Sequence, residues 1–203
     1  MFLTIEGVEG SGKTTLVQAL HERFALAGID VLVTREPGGT PAGNAVREMI
    51  LRSRLDVTPL TEAFLMNGAR SEHVTEKIRP ALAEGRIVLC DRFADSTLAY
   101  QGYGRGLDLP TLRLLCLAAT GGLEPDLTLL LDLPVERLRD RLAERIAPED
   151  PFEGEDAAFH ERVRHGYLEL AKSGGRWRIL DATLSPEALV DAAWDVVQPL
   201  VAS

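Results

Sequence analysis

The sequence predicts an α/β protein whose core is a five-stranded parallel sheet with helices on both faces. Short continuous apolar runs, without the alternation of a half-exposed strand, alternate with segments of helical apolar spacing. The chain has 203 residues, 45% of them hydrophobic, which is enough for a sizeable core. Glycine or a charged residue follows several of the apolar runs, at Gly7, Arg35, Asp91 and Asp132. Because parallel strands end at one edge of a sheet, we expect these four positions to converge.

The first half of the chain contains three predicted strands and the helices between them. An apolar run at residues 2–5 stops at Gly7, and helical spacing follows over residues 13–27. Residues 31–33 form a second buried run, and the Pro and Gly residues within 34–40 predict a loop. Helical patterns then cover residues 41–51 and 59–83, and residues 86–90 form the third run.

The second half repeats this alternation. Helical segments extend to Thr120, and residues 127–131 form the fourth run. Pro134 suits the first turn of a helix, where a missing N–H costs nothing. After a polar stretch at residues 147–156, the pattern predicts a helix over 157–172, a fifth strand over 177–180 and a final helix from about residue 185. With no repeat or low-complexity linker in the sequence, we expect one domain over residues 1–203.

The charge balance bears on the class of ligand. Lys and Arg number 22 against 31 Asp and Glu, a net charge of −9. A nucleic-acid or membrane-surface binder needs a basic face, so we expect no partner of either kind. A small phosphorylated ligand needs only a few cations, which predicts a cationic cleft in an anionic body.

The cysteines and histidines suggest no chemistry of their own. Two cysteines without CxxC spacing are expected to be buried free thiols, and the start MFLTIEG lacks the basic region of a signal peptide. No apolar run is long enough to span a bilayer. We therefore expect a cytoplasmic protein. All four histidines lie in helical segments, where we expect surface roles.

The segment GVEGSGKT matches the phosphate-binding P-loop, G-x-x-x-x-G-K-[ST], between a predicted strand and a predicted helix. Backbone N–H groups of such a loop and the positive end of the helix hold nucleotide phosphates. Lys13 would bridge the β- and γ-phosphates, and Thr14 would hold Mg²⁺ together with Asp91, which ends a strand. The expected ATP-binding residues are Gly7, Val8, Glu9, Gly10, Ser11, Gly12, Lys13, Thr14 and Thr15.

Further motifs give the chain a closer resemblance. It contains TREPGGT at residues 34–40, Ala69-Arg70, and DRF at residues 91–93 followed by STLAYQG at 96–102. In these motifs it resembles bacterial thymidylate kinases. The resemblance implies phosphorylation of dTMP to dTDP with MgATP, on a P-loop, nucleoside-monophosphate-kinase-like three-layer fold. It also implies an acceptor-binding region at about residues 34–105, a lid at about 141–156, and a homodimer.

The same resemblance implies roles in acceptor binding. Arg35 and Arg92 match the residues that bind the acceptor phosphate, and Arg92 is also expected to be catalytic. Arg70 matches the residue that hydrogen-bonds to a thymine carbonyl. The other acceptor-site positions are Glu9, Pro37, Met66, Ser96, Thr97, Tyr100 and Gln101.

Several of these positions carry specific expectations by resemblance. Thr97 contacts the base, and Gln101 lies near the base and the phosphate. Tyr100 crowds the 2′ position of the sugar and so favours deoxyribose. Glu9 reaches the 3′-hydroxyl and belongs with the catalytic residues.

The chain departs from the family pattern at two positions. Met66 occupies the position of a phenylalanine that stacks on thymine, since Phe64 would point elsewhere on the helix. In the lid, Pro151 stands where an arginine is expected. The P-loop supplies no arginine, so we expect the catalytic arginine to be Arg145 or, second, Arg141. The arginines at residues 137, 141 and 145 also fit a surface helix with salt bridges.

Two alternatives to a dTMP kinase follow from these departures. Met66 leaves open a kinase for another nucleoside monophosphate, such as dUMP or a ribonucleotide. Pro151 and the acidic run at residues 149–156 leave open a non-catalytic ATP-binding module.

Overall fold

The computed structural model describes residues 1–51, 57–143 and 151–201. Five strands form one all-parallel sheet in the order β2-β3-β1-β4-β5, with helices around it, which confirms the predicted fold class. The strands are β1 (Phe2–Gly7), β2 (Val31–Arg35), β3 (Ile87–Asp91), β4 (Leu127–Asp132) and β5 (Trp177–Asp181). β1, β3 and β4 are almost entirely buried.

Each strand runs further towards its carboxyl end than the apolar pattern predicted. Arg35 pairs in register with Asp91, and Asp132 pairs with Asp181. The backbone ladder continues through these polar residues because their side chains leave the sheet at its edge. This edge is where the four strand-end positions were expected to converge.

The helices in the described ranges fill the intervals between the strands. They are α1 (Lys13–Leu26), α2 (Pro41–Leu51), α3 (Pro59–His73), α4 (Arg79–Ala83), α5 (Ala94–Thr97), α6 (Leu109–Thr120), α7 (Val135–Ala143), α8 (Ala157–Ala171) and α9 (Pro186–Val201). Every described helix is too short or too polar to cross a lipid bilayer.

The single helix predicted over residues 59–83 is interrupted by a π-helical segment, Val74–Ile78, between α3 and α4. The Arg79 N–H donates to the Val74 carbonyl, five residues back. Pro80 lacks an N–H and would clash with the preceding turn of a regular α-helix, so the wider turn accommodates it. A second π-helical segment, Leu98–Gly104, follows α5 and carries the AYQG motif.

Helix α8 packs closely against the π-helical segment Leu98–Gly104. A Cβ atom on Gly166 would lie 2.6 Å from the ring of Tyr103, and one on Gly104 would lie 2.8 Å from the ring of Phe159. These close contacts hold α8 against the end of the segment that carries the AYQG motif.

Candidate active site

A cleft opens at the carboxyl edge of the sheet, between the P-loop and the segments that carry TREPGGT and AYQG. All ten predicted acceptor-site residues line it, together with Gly10, Gly12, Lys13, Thr14 and Thr15 of the P-loop and α1. Gly7, Val8 and Ser11 are buried behind this lining. The structure therefore brings the two predicted substrate sites into one cleft.

The P-loop backbone depends on its glycines. Gly7 has φ 146°, and a Cβ there would lie 2.6 Å from the Leu131 carbonyl oxygen on the neighbouring strand. Gly12, which precedes α1, has φ 94°. Both φ values lie in the region that favours glycine, so the loop can turn its backbone donors inward at the start of a helix.

Lys13 lines the cleft but is largely buried. Its Nζ donates to the Val8 carbonyl oxygen at 2.8 Å and lies 3.5 Å from Ser11 Oγ. Burial, with a contribution from the cation Arg92, lowers the pKa of Lys13 from 10.5 to about 8. A bound phosphate would favour the charged ammonium and raise this pKa again.

Thr14 and Asp91 present oxygen atoms next to each other. Thr14 Oγ1 donates to Asp91 Oδ2 at 3.1 Å, and buried Asp91 Oδ1 has no hydrogen-bond partner among the described residues. A hydroxyl beside a partly unpaired carboxylate fits Mg²⁺, which takes one or two protein oxygens and completes its shell with water and phosphate.

Arg92 follows β3 and is the centre of the site. Its φ of 69° is a left-handed conformation that costs a non-glycine residue on the order of 1 kcal/mol. Nη2 donates to Glu9 Oε1 at 2.9 Å and to the Tyr100 hydroxyl at 3.0 Å. Nη1 donates to the Gly7 carbonyl at 2.9 Å, and the guanidinium lies 4.9 Å from the centre of the Tyr100 ring.

A buried carboxylate that the sequence analysis missed, Glu6 on β1, holds the surroundings of Arg92. Glu6 Oε1 accepts the Phe93 N–H at 2.7 Å, and Oε2 accepts the Ser96 and Tyr167 hydroxyls at 2.7 and 2.9 Å. Both hydroxyls in turn accept from Arg92 Nη1, at 3.3 and 3.1 Å. Glu6 thus positions Arg92 through two intermediate side chains.

The charge of Glu6 is finely balanced. Burial, with a smaller contribution from Asp95, raises the pKa of Glu6 to about 7, while Arg92 and the two hydroxyl donors act to lower it. A carboxylate inside an otherwise apolar strand is the one sequence signal that could have identified this residue.

A second buried network supports the acceptor side of the cleft. Arg70 Nε donates to Glu36 Oε2 at 2.7 Å, and Nη1 donates to Thr97 Oγ1 at 3.0 Å. Glu36 Oε1 lies 3.0 Å from His73 Nδ1, whose other ring nitrogen lies 2.7 Å from Thr34 Oγ1. Burial alone would lower the pKa of Arg70, but Glu36 outweighs it and the pKa is raised.

The remaining acceptor-side residues fill the walls of the cleft. Met66 lines it, whereas Phe64 is 57% exposed and points away from it, as expected from the helix. Gln101 Nε2 donates to Glu62 Oε1 at 2.7 Å. Arg35 is exposed and lines the cleft. Arg47 also lines the cleft and donates to the Pro37 carbonyl, although the sequence analysis did not select it.

Of the two arginines expected to be catalytic in the predicted lid, Arg141 lies in the described part of the chain. Arg141 on α7 donates to the Gly10 carbonyl at 2.9 Å and to the Ala182 carbonyl at 2.8 Å, so it binds the P-loop backbone. Arg145 lies outside the described residues. The sequence analysis did not select Phe152 and Glu153, which line the cleft from the lid.

The expected surface role of the histidines is wrong for two of the four. His73 and His160 are almost completely buried, whereas His21 and His165 are exposed. Each buried ring lies beside a glutamate that lines the cleft, at Glu36 and Glu9 respectively. Helical spacing alone cannot reveal such contacts because the partners are distant in sequence.

Comparison with known proteins gives a consistent result. A sequence model described as thymidylate kinase matches residues 5–193. The chain is 53% identical over 197 residues to a thymidylate kinase of Thermomicrobium roseum, covering 97% of this chain and 93% of the relative. It is 49% identical to one of Deinococcus radiodurans, with 97% and 96% covered. The crystal structure of thymidylate kinase from Ehrlichia chaffeensis superposes with a TM-score of 0.81 at 32% identity, covering 98% of both chains.

Nucleotide binding should take up a proton above the pKa of Lys13. That pKa is about 8 in the free protein, and bound phosphate raises it, so the association constant for ATP should fall as pH rises through 8. The fall should approach about tenfold per pH unit. Calorimetry in buffers of different ionisation enthalpy, at about pH 9, should detect uptake of nearly one proton.

The matched control for this experiment is Lys13→Arg, which keeps a cation that does not titrate in this range. Its proton uptake should be near zero at the same pH. Equal uptake by both proteins would show that Lys13 is not the group responsible.

Proposed function

The chain belongs to the thymidylate kinase family, and from this premise we propose that its cleft uses Lys13, Arg92 and a lid arginine to transfer a phosphoryl group from ATP to dTMP. The activity follows from the family: the protein is an enzyme that phosphorylates dTMP to dTDP with ATP as donor. The proposal concerns the residues that perform it.

One observation carries the assignment of roles. Lys13 and Arg92 line the same cleft, and Glu9 of the P-loop accepts a hydrogen bond from Arg92. Donor and acceptor are both anions, so the barrier is dominated by charge repulsion and alignment. Two cations held at the sheet edge reduce the repulsion between the two phosphates and align them.

Arg92 is proposed to bind the acceptor phosphate. A guanidinium suits this task because it donates two parallel hydrogen bonds to phosphate oxygens. The acceptor phosphate is already ionised, so no general base is needed to activate it. Lys13 holds the donor phosphates, and their negative charge stabilises its ammonium form.

Thr14 and Asp91 are proposed to hold Mg²⁺ with the donor nucleotide. The ion would neutralise phosphate charge during transfer. Within this chain, Asp91 supplies the unpaired buried oxygen and Thr14 the hydroxyl.

The acceptor base and sugar are proposed to lie against Arg70, Met66 and Tyr100. Arg70 is held by Glu36 and Thr97, so its position is fixed before a base arrives. Met66 presents a polarizable thioether to the cleft in place of an aromatic ring. The Tyr100 ring, buried against Phe152, is proposed to exclude a 2′-hydroxyl.

We propose the division of one domain into an acceptor-binding region at about residues 34–105 and a lid at about 141–156. Part of that lid, residues 144–150, lies outside the described residues. The two cysteines are free and buried, which suits a reducing compartment and supports a cytoplasmic location.

The chain is further proposed to form a homodimer through α3 and α6, which pack side by side. These helices expose large apolar side chains on one surface: Leu60 and Phe64 of α3 are 45% and 57% exposed, and Leu114 and Leu117 of α6 are 68% and 57% exposed. A second copy of the chain that packs on this surface would remove these apolar side chains from water.

An acceptor panel tests the reaction. With MgATP, ADP formation should be stimulated most by dTMP, with kcat/KM for dUMP lower by about 10-fold or more because the methyl contact is missing. AMP and CMP should be poorer still. A better acceptor than dTMP would favour the alternative nucleoside monophosphate kinase, and nucleotide binding without turnover on any acceptor would favour a non-catalytic module.

Variants of the arginines at positions 137, 141 and 145, which are four residues apart in the sequence, test the catalytic lid residue. Arg145→Ala should lower kcat about 100-fold or more with little change in KM for dTMP, as expected for a contact made in the transition state. Arg141→Ala should mainly raise KM for ATP, because Arg141 binds the Gly10 carbonyl of the P-loop.

The control is Arg137→Ala, since Arg137 is an exposed residue of α7. It should leave both parameters unchanged. If Arg145→Ala keeps its kcat and Arg141→Ala loses it, Arg141 is the catalytic arginine. If both variants keep their kcat, no lid arginine is catalytic.

Light scattering after size-exclusion chromatography tests the dimer. The unsubstituted chain should elute with twice the chain mass, and Leu114→Glu with Leu117→Glu should convert it to a monomer. Leu26→Glu is the control, because Leu26 on α1 is 86% exposed but lies outside the α3–α6 surface. A monomeric unsubstituted chain, or a double variant that stays dimeric, would contradict this interface.

A further inference from the structure

His160 on α8 faces the cleft carboxylate Glu9 from behind. Its Nδ1 lies 3.6 Å from Glu9 Oε2, and both side chains are 4% exposed. His160 is absent from the residues that line the cleft, whereas Glu9 lines it. The ring therefore contacts the site through Glu9 and not directly.

The hydrogen bonds of Glu9 are unevenly divided. Oε1 accepts from the Tyr100 hydroxyl at 2.5 Å and from Arg92 Nη2 at 2.9 Å. Oε2 is buried and has no hydrogen-bond partner among the described residues, and the same is true of both ring nitrogens of His160. A buried carboxylate oxygen and a buried imidazole that face each other unpaired both lose free energy.

This arrangement differs from that of a histidine with a purely structural role. His73, the other buried histidine, has hydrogen-bond partners at both ring nitrogens, Glu36 and Thr34. At His160, a shift of less than 1 Å would bring Nδ1 into hydrogen-bond distance of Glu9 Oε2. A small movement of Glu9 would therefore form a hydrogen bond between His160 Nδ1 and Glu9 Oε2. A substrate hydroxyl that binds to Glu9 in the cleft can cause such a movement.

We propose that His160 is a positioning residue that fixes Glu9 Oε2 so that Glu9 can accept a hydrogen bond from the sugar 3′-hydroxyl of the acceptor nucleotide. Oε1 already has two donors, so Oε2 has the open capacity for a hydroxyl. A His160 Nδ1–H bonded to the same oxygen leaves a second lone pair for the substrate and prevents rotation of the carboxylate. The inference rests on the proposed function and on the role of Glu9 that the family resemblance implies, in which Glu9 reaches the 3′-hydroxyl of the acceptor.

A comparison of two acceptors isolates this effect. The kcat/KM values for dTMP and 3′-deoxy-dTMP are measured with the unsubstituted protein, His160→Phe and His160→Asn. Phenylalanine keeps the ring volume and removes the N–H, whereas the asparagine amide places a donor near the position of Nδ1. The control is His165→Phe on the same helix, where the side chain is 64% exposed.

His160→Phe should lower kcat/KM for dTMP about tenfold or more, the effect of losing one hydrogen bond to a charged group. It should leave kcat/KM for 3′-deoxy-dTMP nearly unchanged, so that the preference for the 3′-hydroxyl collapses. His160→Asn should restore part of that preference, and His165→Phe should keep all of it. Retained activity on 3′-deoxy-dTMP also shows that the variant is folded.

An equal loss on both acceptors, or no loss on either, would overturn the role of His160. If His160→Phe fails to fold, His160→Asn decides the question: partial retention of the dTMP preference supports the role, and an unchanged or absent preference overturns it. A failure of the proposed function is distinguishable, because the unsubstituted protein would then show no turnover of dTMP.

Discussion

The site depends on how one partly buried guanidinium, that of Arg92, is held by two buried carboxylates. Glu9 pairs with it directly at 2.9 Å, and Glu6 holds it through the Ser96 and Tyr167 hydroxyls. Removing one partner of a buried ion pair costs about 3–5 kcal/mol, because the other charge is left unpaired. The left-handed backbone of Arg92 persists because these contacts determine where its side chain lies.

A second arginine, Arg70, is held by a buried carboxylate on the side of the cleft proposed to bind the acceptor. Arg70 is buried against Glu36, and His73 fixes the other oxygen of that carboxylate. Both arginines are thus held in place before any substrate binds, which reduces the reorganisation that phosphoryl transfer would otherwise require. The net charge of −9 is compatible with two anionic substrates because the cations of the cleft are few and fixed by buried acids.

The sequence predicted the parts of the fold and site that depend on local pattern. Continuous apolar runs predicted all five strands, and the P-loop spacing predicted the glycine-rich loop that lines the cleft. Helix periodicity predicted that Met66 would face the cleft and that Phe64 would not. The carboxylates and histidines behind the site were missed, because each is defined by partners far away in the chain: Glu6 and Tyr167 are 161 positions apart. Only Glu6 carried a local signal, a charge in an apolar strand.

A crystal structure of the protein with bound dTMP would show whether Arg92 is held in place for the acceptor phosphate. Arg92 is expected to donate to the phosphate oxygens, at about 2.7–2.9 Å, while its bond to the Gly7 carbonyl and its left-handed backbone are retained. A dTMP phosphate bound without an Arg92 contact, or one reached only after Arg92 leaves the Gly7 carbonyl, would rule out this role of Arg92.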